Sequence, residues 1–208
     1  MSGIQGCRWR GWAGERGHHY DRAVPETELC LRTPRLILRP FDAGDIDDAY
    51  AYMRLPEVAR YLYWDARDRA QVVAALATKS GDAGRLMDGQ TLTLAVQWAR
   101  TGRVVGEVQM TVLSHRHRQG EVGFVFNPEV SGLGLATEAA REIMRYGFTE
   151  LGLHRVIGRC DVRNAASARL MERLGMRREA HLVHSEIFKG EWGDEYVYAQ
   201  LDHEWRPA

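Results

Sequence analysis

The sequence predicts an α/β chain built on a mixed, mostly antiparallel sheet, and three observations predict it. Residues 92–98, 104–113 and 121–126 form successive segments of strand character, the first two alternating apolar with polar or small residues, the period-two signature of half-buried strands. A glycine-rich turn, Ser131-Gly132-Leu133-Gly134-Leu135-Ala136, then opens a segment whose apolar residues recur at threes and fours. Beyond it a further apolar strand, 154–162, leads to an Asn164-capped helix.

Taken in order, residues 1–33 carry five glycines between Gly3 and Gly17 among arginines, tryptophans and His18–His19, without helical or strand periodicity. They read as a flexible extension to a domain over residues 34–208. Residues 36–41 read as a strand, and Asp42-Ala-Gly-Asp45 as a turn capping a helix to about Met53. A further helical region is expected over 56–87. In the strand 104–113, Val104, Gly106, Val108, Met110 and Val112 fall on one face and Val105, Glu107, Gln109 and Thr111 on the other. Residues 114–120 are a polar turn, so an antiparallel meander is the economical arrangement. Ala136, Ala139, Ala140, Ile143, Met144, Gly147, Phe148 and Leu151 describe one continuous helix face. The helix from Asn164 ends at Leu174, with Gly175 where a left-handed C-cap belongs. Two last strands within 177–205 join around 189–194.

Composition narrows the function. Across 208 residues, 28 basic and 28 acidic side chains balance, which lacks the footprint of a nucleic-acid binder. Cys7, Cys30 and Cys160 are odd in number and widely spaced, giving neither a disulfide framework nor a CxxC metal pair. No apolar run approaches the roughly 20 residues of a spanning helix, and the expected setting is soluble and cytoplasmic. His115, His117, His181 and His184 combine with no cysteine or carboxylate at a metal-ligand spacing, so no metal is expected.

Glycines at a strand-to-helix turn let backbone N–H groups approach a phosphate, and the helix N-terminus adds partial positive charge. Tight turn geometry alone explains such glycines equally well. A Rossmann fingerprint fails because its third glycine would fall on Thr137. A Walker loop fails because no Gly-Lys-Ser/Thr follows.

Three blocks, in this order and spacing, resemble the GNAT superfamily of N-acetyltransferases, and especially its RimJ/RimL-like branch. They are Glu121-Val-Gly-Phe-Val-Phe-Asn-Pro128 leading into Gly132-Leu-Gly-Leu-Ala-Thr-Glu-Ala139, Leu153-His-Arg-Val156 leading through Asn164-Ala-Ala-Ser167 to Leu174-Gly-Met176, and Arg177-Arg-Glu179 with the closing strands to Trp205. The resemblance implies the GNAT fold, with helices on both faces of the sheet and a cofactor cleft where two central strands part. It implies that the turn Ser131, Gly132, Leu133, Gly134, Leu135, Ala136 and Thr137 wraps the pyrophosphate of acetyl-CoA, Ser131 standing where the family usually has Gln or Arg. It further assigns Phe124, Val125 and Phe126 to backbone pairing with the pantetheine, and Asn164 and Ser167 to coenzyme A contact.

Acyl transfer from a thioester to an amine needs a neutral nucleophile, a polarised carbonyl and a proton for the thiolate. Glu121, where many superfamily members place a base, and Glu107 are the candidate carboxylates, each with a solvated strand-face residue as the plain alternative. Met171 stands where many members carry a tyrosine acid, and the Asn-x-x-Ser pattern makes Ser167 the candidate proton donor, although helix capping explains the same pair. The expected activity is acetyl transfer from acetyl-CoA to a primary amine by direct attack. The acceptor is a protein or peptide N-terminus as the RimJ/RimL resemblance implies, or a small-molecule amine such as an antibiotic, polyamine or amino-acid derivative. A non-catalytic acyl-CoA-binding module of the same fold is the alternative outside enzymes. No nucleic-acid or membrane partner is expected, and a homodimer is an admissible assembly.

Overall fold

Residues 29–79 and 86–206 are described by a computed structural model. Eight strands form one sheet: β1 (Leu31–Arg32), β2 (Leu36–Arg39), β3 (Thr91–Trp98), β4 (Val104–Ser114), β5 (Gln119–Phe126), β6 (Arg155–Asp161), β7 (Arg177–Phe188) and β8 (Glu191–Leu201). Their spatial order is β1-β2-β3-β4-β5-β6-β8-β7, and every pairing is antiparallel except β5 with β6. A parallel pair needs a crossover, and α4 (Leu135–Thr149) supplies it. The other helices are α1 (Ile46–Met53), α2 (Pro56–Ala59), α3 (Arg69–Lys79) and α5 (Ala165–Arg173).

Strand alternation divides the core in two. Leu92, Leu94 and Val96 of β3 pack with Val108, Met110 and Val112 of β4 against Leu135, Ala139, Ile143 and Met144 of α4. On the opposite face, Ala95 and Val104 meet Ala49 and Tyr52 of α1 and Val72 and Leu76 of α3. The expected mixed sheet with helices on both faces is therefore observed.

Local departures have local causes. β2 stops at Arg39 because Pro40 has no N–H for the ladder. Within the helical region expected over 56–87, the described residues form a short α2 and α3 with a non-helical stretch between them. Asp68 and Gln71 cap the latter reciprocally, Gln71 N–H donating to Asp68 Oδ1 (2.8 Å) and Asp68 N–H to Gln71 Oε1 (2.9 Å). Val104 does not share a face with Val108, because a bulge shifts the register from Val96↔Gly106 to Gln97↔Val104. β7 and β8 join by a two-residue turn at Lys189 and Gly190, both at positive φ (49° and 88°), tighter than the 189–194 expected. Leu31 and Arg32, placed by sequence in the extension, pair with Leu38 and Ile37; residues 1–28 lie outside those described.

Candidate active site

The site begins where β5 and β6 part. They pair only at Gln119↔Arg155, Gly120↔Val156 and Glu121↔Ile157, while β5 stays on β4 as far as Phe126↔Gly106 and β6 stays on β8 as far as Asp161↔Glu195. Beyond Glu121 the facing edges of β5 and β6 are unpaired, leaving a wedge-shaped opening. Asn127 N–H donates to the Val105 carbonyl at 2.9 Å, so by antiparallel alternation the backbone of Val125 faces β4 and those of Phe124 and Phe126 face the opening. A Cβ on Gly106 would lie 2.5 Å from the Val125 carbonyl oxygen, which agrees. Of the three residues expected to bind cofactor through their backbone, Val125 is thus turned away.

The glycine turn stands at the mouth of this opening. Asn127 Oδ1 caps the short 3-10 turn Pro128–Val130 by accepting from Glu129 N–H (3.1 Å), and Ser131 N–H donates to the Pro128 carbonyl (2.9 Å). Gly132 and Gly134 then adopt positive φ (80° and 75°), where a side chain is strained. Gly134 is the N-cap of α4 and has no side chain to cap it, so the N–H groups of Leu135, Ala136 and Thr137 have no intrahelical acceptor and no hydrogen bond among the described residues. An exposed turn with unpartnered donors and a helix dipole behind it suits a pyrophosphate. Arg35 holds the turn from the start of β2: its Nη1 donates to the Leu133 carbonyl (2.9 Å) and its Nε to Glu138 Oε2 (2.6 Å).

On the face opposite α4 lies a cleft of about 110 Å³. Tyr61 and Tyr63 border one side, Glu186 and Phe188 of β7 another, and Glu121, Arg159, Asp161, Asp194 and Glu195 lie between. Lys189 fixes this arrangement, since its Nζ donates to the Ala59 carbonyl (3.0 Å), the Trp64 carbonyl (3.2 Å) and Asp65 (2.9 Å). The β7–β8 turn is thereby tied to the segment bearing the tyrosines. Five carboxylates around one guanidinium make the cleft acidic, which favours a cationic guest.

Neither expected base stands free. Both oxygens of Glu107 accept from Lys79 Nζ at 2.6 Å, Gln109 donates to one of them at 3.0 Å, and the side chain is buried beneath α1 and α3. Glu107 is a structural ion pair outside the cleft. Glu121 does line the cleft, but Arg159 grips it through Nε (3.0 Å) and Nη2 (2.9 Å), which suits positioning better than proton abstraction. At the start of α5, Asn164 Oδ1 accepts from Ser167 N–H (3.1 Å), so Asn164 is the cap. The Ser167 hydroxyl has no hydrogen bond among the described residues. Met171 is buried against Gly158. Burial, aided by Asp161 and Glu195, pushes the Cys160 thiol up to about 11, so it stays protonated near neutrality and is a poor nucleophile. No group of three or more His, Cys, Asp or Glu among the described residues is arranged for a metal. No helix there is long and apolar enough to cross a membrane.

Sequence reading did not single out Arg35, Tyr63, Arg159, Glu186 or Glu195. They reach the site through contacts between segments distant in sequence, the Arg35 and Tyr63 bonds spanning 98 and 123 residues of chain.

The acetyltransferase (GNAT) domain model matches residues 35–177. The uncharacterized N-acetyltransferase YnaD of Bacillus subtilis is 32% identical, over 85% of this chain and 99% of its own length. The spermidine N(1)-acetyltransferase of Vibrio cholerae is 30% identical over 77% of this chain and 89% of its own. The crystal structure of a GNAT-family acetyltransferase from Bacillus anthracis superposes with a TM-score of 0.76 at 29% identity, covering 84% of this chain and 99% of that one.

Proposed function

Because the chain belongs to the GNAT acetyltransferase family and is an N-acetyltransferase, we propose that it transfers the acetyl group of acetyl-CoA to a primary amine of a small, multiply charged acceptor of polyamine type. The observation that carries this reading is the acidic cleft beside the parting of β5 and β6. A peptide N-terminus, the acceptor expected from the RimJ/RimL resemblance, brings one positive charge to the site; a polyamine brings several, matching the excess of carboxylates. The relative named a spermidine N(1)-acetyltransferase adds support.

In this reading the unpaired backbone of Phe124 and Phe126 pairs with the pantetheine, and the N–H groups at Leu135, Ala136 and Thr137 hold the pyrophosphate. Asn164 and Ser167 flank the thiol end. The amine attacks the thioester directly, without a covalent enzyme intermediate, consistent with the high thiol pKa of Cys160.

Acetyl-CoA offered with spermidine, 1,4-diaminobutane, a monoamine of equal length and N-terminal peptides, with products read by mass spectrometry, tests the proposal. The polyamine or diamine is expected to gain one acetyl group with kcat/KM at least about tenfold above the monoamine, the ratio that about 1.4 kcal/mol of extra binding gives. Preferential acetylation of the peptide N-terminus overturns it.

A further inference from the structure

We propose that Glu195 of β8 is the general base that takes the proton from the acceptor ammonium. This rests on the acceptor cleft assigned above, and it follows from what the other carboxylates there are doing. Glu121 is held by Arg159 through two hydrogen bonds. Asp161 accepts from Arg163 Nη2 (2.6 Å) and Nε (2.9 Å). Glu186 accepts from the Tyr63 hydroxyl (2.6 Å). Asp194 accepts from His184 N–H (2.9 Å) and stands 3.1 Å from His181 Nε2. The Glu195 carboxylate lines the same cleft, is half-buried, and makes no hydrogen bond or ion pair among the described residues. Of the five carboxylates, Glu195 is the one with both oxygens free of a hydrogen bond or ion pair among the described residues, so it takes up a proton without giving up a partner.

Its placement suits the task. Glu195 pairs with Asp161 across the β6–β8 ladder and Val197 pairs with Arg159. Directly opposed residues share a face, so the Glu195 carboxylate, Asp161 and Arg159 project to the cleft side of the sheet. The charged and titratable groups around it are Arg159, Cys160 and Asp161 from β6, Glu121 from β5, Glu186 from β7, its neighbour Asp194, and Tyr61 and Tyr63 from the segment between α2 and α3. Burial raises the proton affinity of Glu195 above the usual carboxylate range; Arg159 opposes this, and Glu186 and Glu121 add to it. An alkylammonium entering the cleft is desolvated too, which lowers its own pKa. The two shifts narrow a gap of about six units in water.

The step balances as follows. The ammonium passes one proton to Glu195, and the freed lone pair forms the C–N bond at the thioester carbonyl carbon. The C–S bond then breaks, its electron pair leaving on sulfur, and the second amine proton reaches the thiolate. The products are the amide and coenzyme A thiol, and Glu195 returns its proton to solvent.

The test compares wild type, Glu195→Gln and Glu186→Gln from pH 6 to pH 10, with acetyl-CoA and whichever amine of the panel above wild type turns over best. A peptide-preferring enzyme would therefore overturn the polyamine reading while leaving this test intact. Glu195→Gln is expected to lose about 10²-fold in kcat/KM for the amine at neutral pH, to keep the wild-type KM for acetyl-CoA, and to recover as rising pH supplies free amine. Glu186→Gln is expected to change the acceptor KM while keeping the wild-type pH profile. Turnover by Glu195→Gln close to wild type with an unaltered profile overturns the proposal, as does a Glu186→Gln enzyme that shows the pH-dependent recovery instead. A carboxyl-13C NMR titration of the free enzyme, independent of any acceptor, is expected to show Glu195 titrating above the ordinary glutamate range; titration within that range also overturns it.

Discussion

Two readings of Ser167, proton donor and part of the helix cap, are separated by one substitution. Its N–H is already held by Asn164 Oδ1, so the cap survives loss of the hydroxyl, and Ser167→Ala is expected to change stability by no more than about 0.5 kcal/mol. Asn164→Ala, which removes the cap itself, is expected to cost about 1 kcal/mol. If the serine hydroxyl delivers the proton to the departing thiolate, Ser167→Ala lowers kcat about 10²-fold or more at an unchanged melting temperature. Turnover within a few-fold of wild type in a folded Ser167→Ala protein retires the serine as acid and leaves water as the donor. The neighbouring alternatives are closed by packing: Met171 is buried in the core, and the Tyr198 hydroxyl donates to Glu172 (3.1 Å) with its pKa pushed up to about 12.

Among the elements, the turn entering α4 depends on a strand far from it in sequence. Arg35 bridges the Leu133 carbonyl and the Glu138 carboxylate, which also accepts from Thr33 Oγ1 (2.5 Å) and from Arg35 N–H (3.0 Å). Arg35→Ala is expected to raise the KM for acetyl-CoA several-fold with kcat little changed, because the turn loses its brace but keeps its N–H groups. Arg35→Lys is expected to restore it only in part, since an ammonium lacks the planar fork that spans two acceptors. An unchanged KM in Arg35→Ala would show that the glycines alone hold the turn. Elements of this kind were legible in the sequence where their cause is local. Strand alternation in β3 and β4, the threes and fours of α4, the Asn164 cap and the left-handed Gly175 are all set by neighbours within a few residues. The Asp68–Gln71 box that starts α3 is equally local and marks where the helical region resumes after α2. The charge partners were not legible, because Lys79 meets Glu107 and Arg159 meets Glu121 only once the sheet has formed. Periodicity reports which face a residue occupies and is silent about which opposite charge will stand there.

For the whole molecule, the ionised groups pull stability in two directions with pH. Glu138, Asp161, Glu179, Asp202 and Glu204 are all held below the usual carboxylate range. Arg163 lowers Asp161, Arg155 and Arg177 lower Glu179, His154 lowers Asp202, the Leu201 N–H and Arg177 lower Glu204, and Thr33 and Arg35 outweigh burial at Glu138. A depressed carboxylate binds fewer protons folded than unfolded, so its contribution is present above the unfolded value, near 4, and is lost as pH falls through the folded one. The melting temperature is therefore expected to fall steeply below about pH 5. Glu195 runs the other way: its pKa is raised, so its contribution is present below the unfolded value and is lost as pH rises through the folded one. At pH 8 the ionised Glu195 is a burden that the neutral, isosteric glutamine lacks. Glu195→Gln is thus expected to melt above wild type at pH 8, with the difference shrinking toward zero near pH 4, where the native carboxyl is itself protonated. Glu138→Gln is expected to melt below wild type at pH 8 and to converge with it in acid. Thermal scans of the three proteins from pH 4 to pH 8 read both effects at once. A Glu195→Gln protein that melts lower at pH 8 would show that Glu195 is a stabilising partner in the folded cleft, and one that differs from wild type by the same amount throughout would show that its ionisation is not coupled to folding; either result contradicts an open base maintained at a cost in stability.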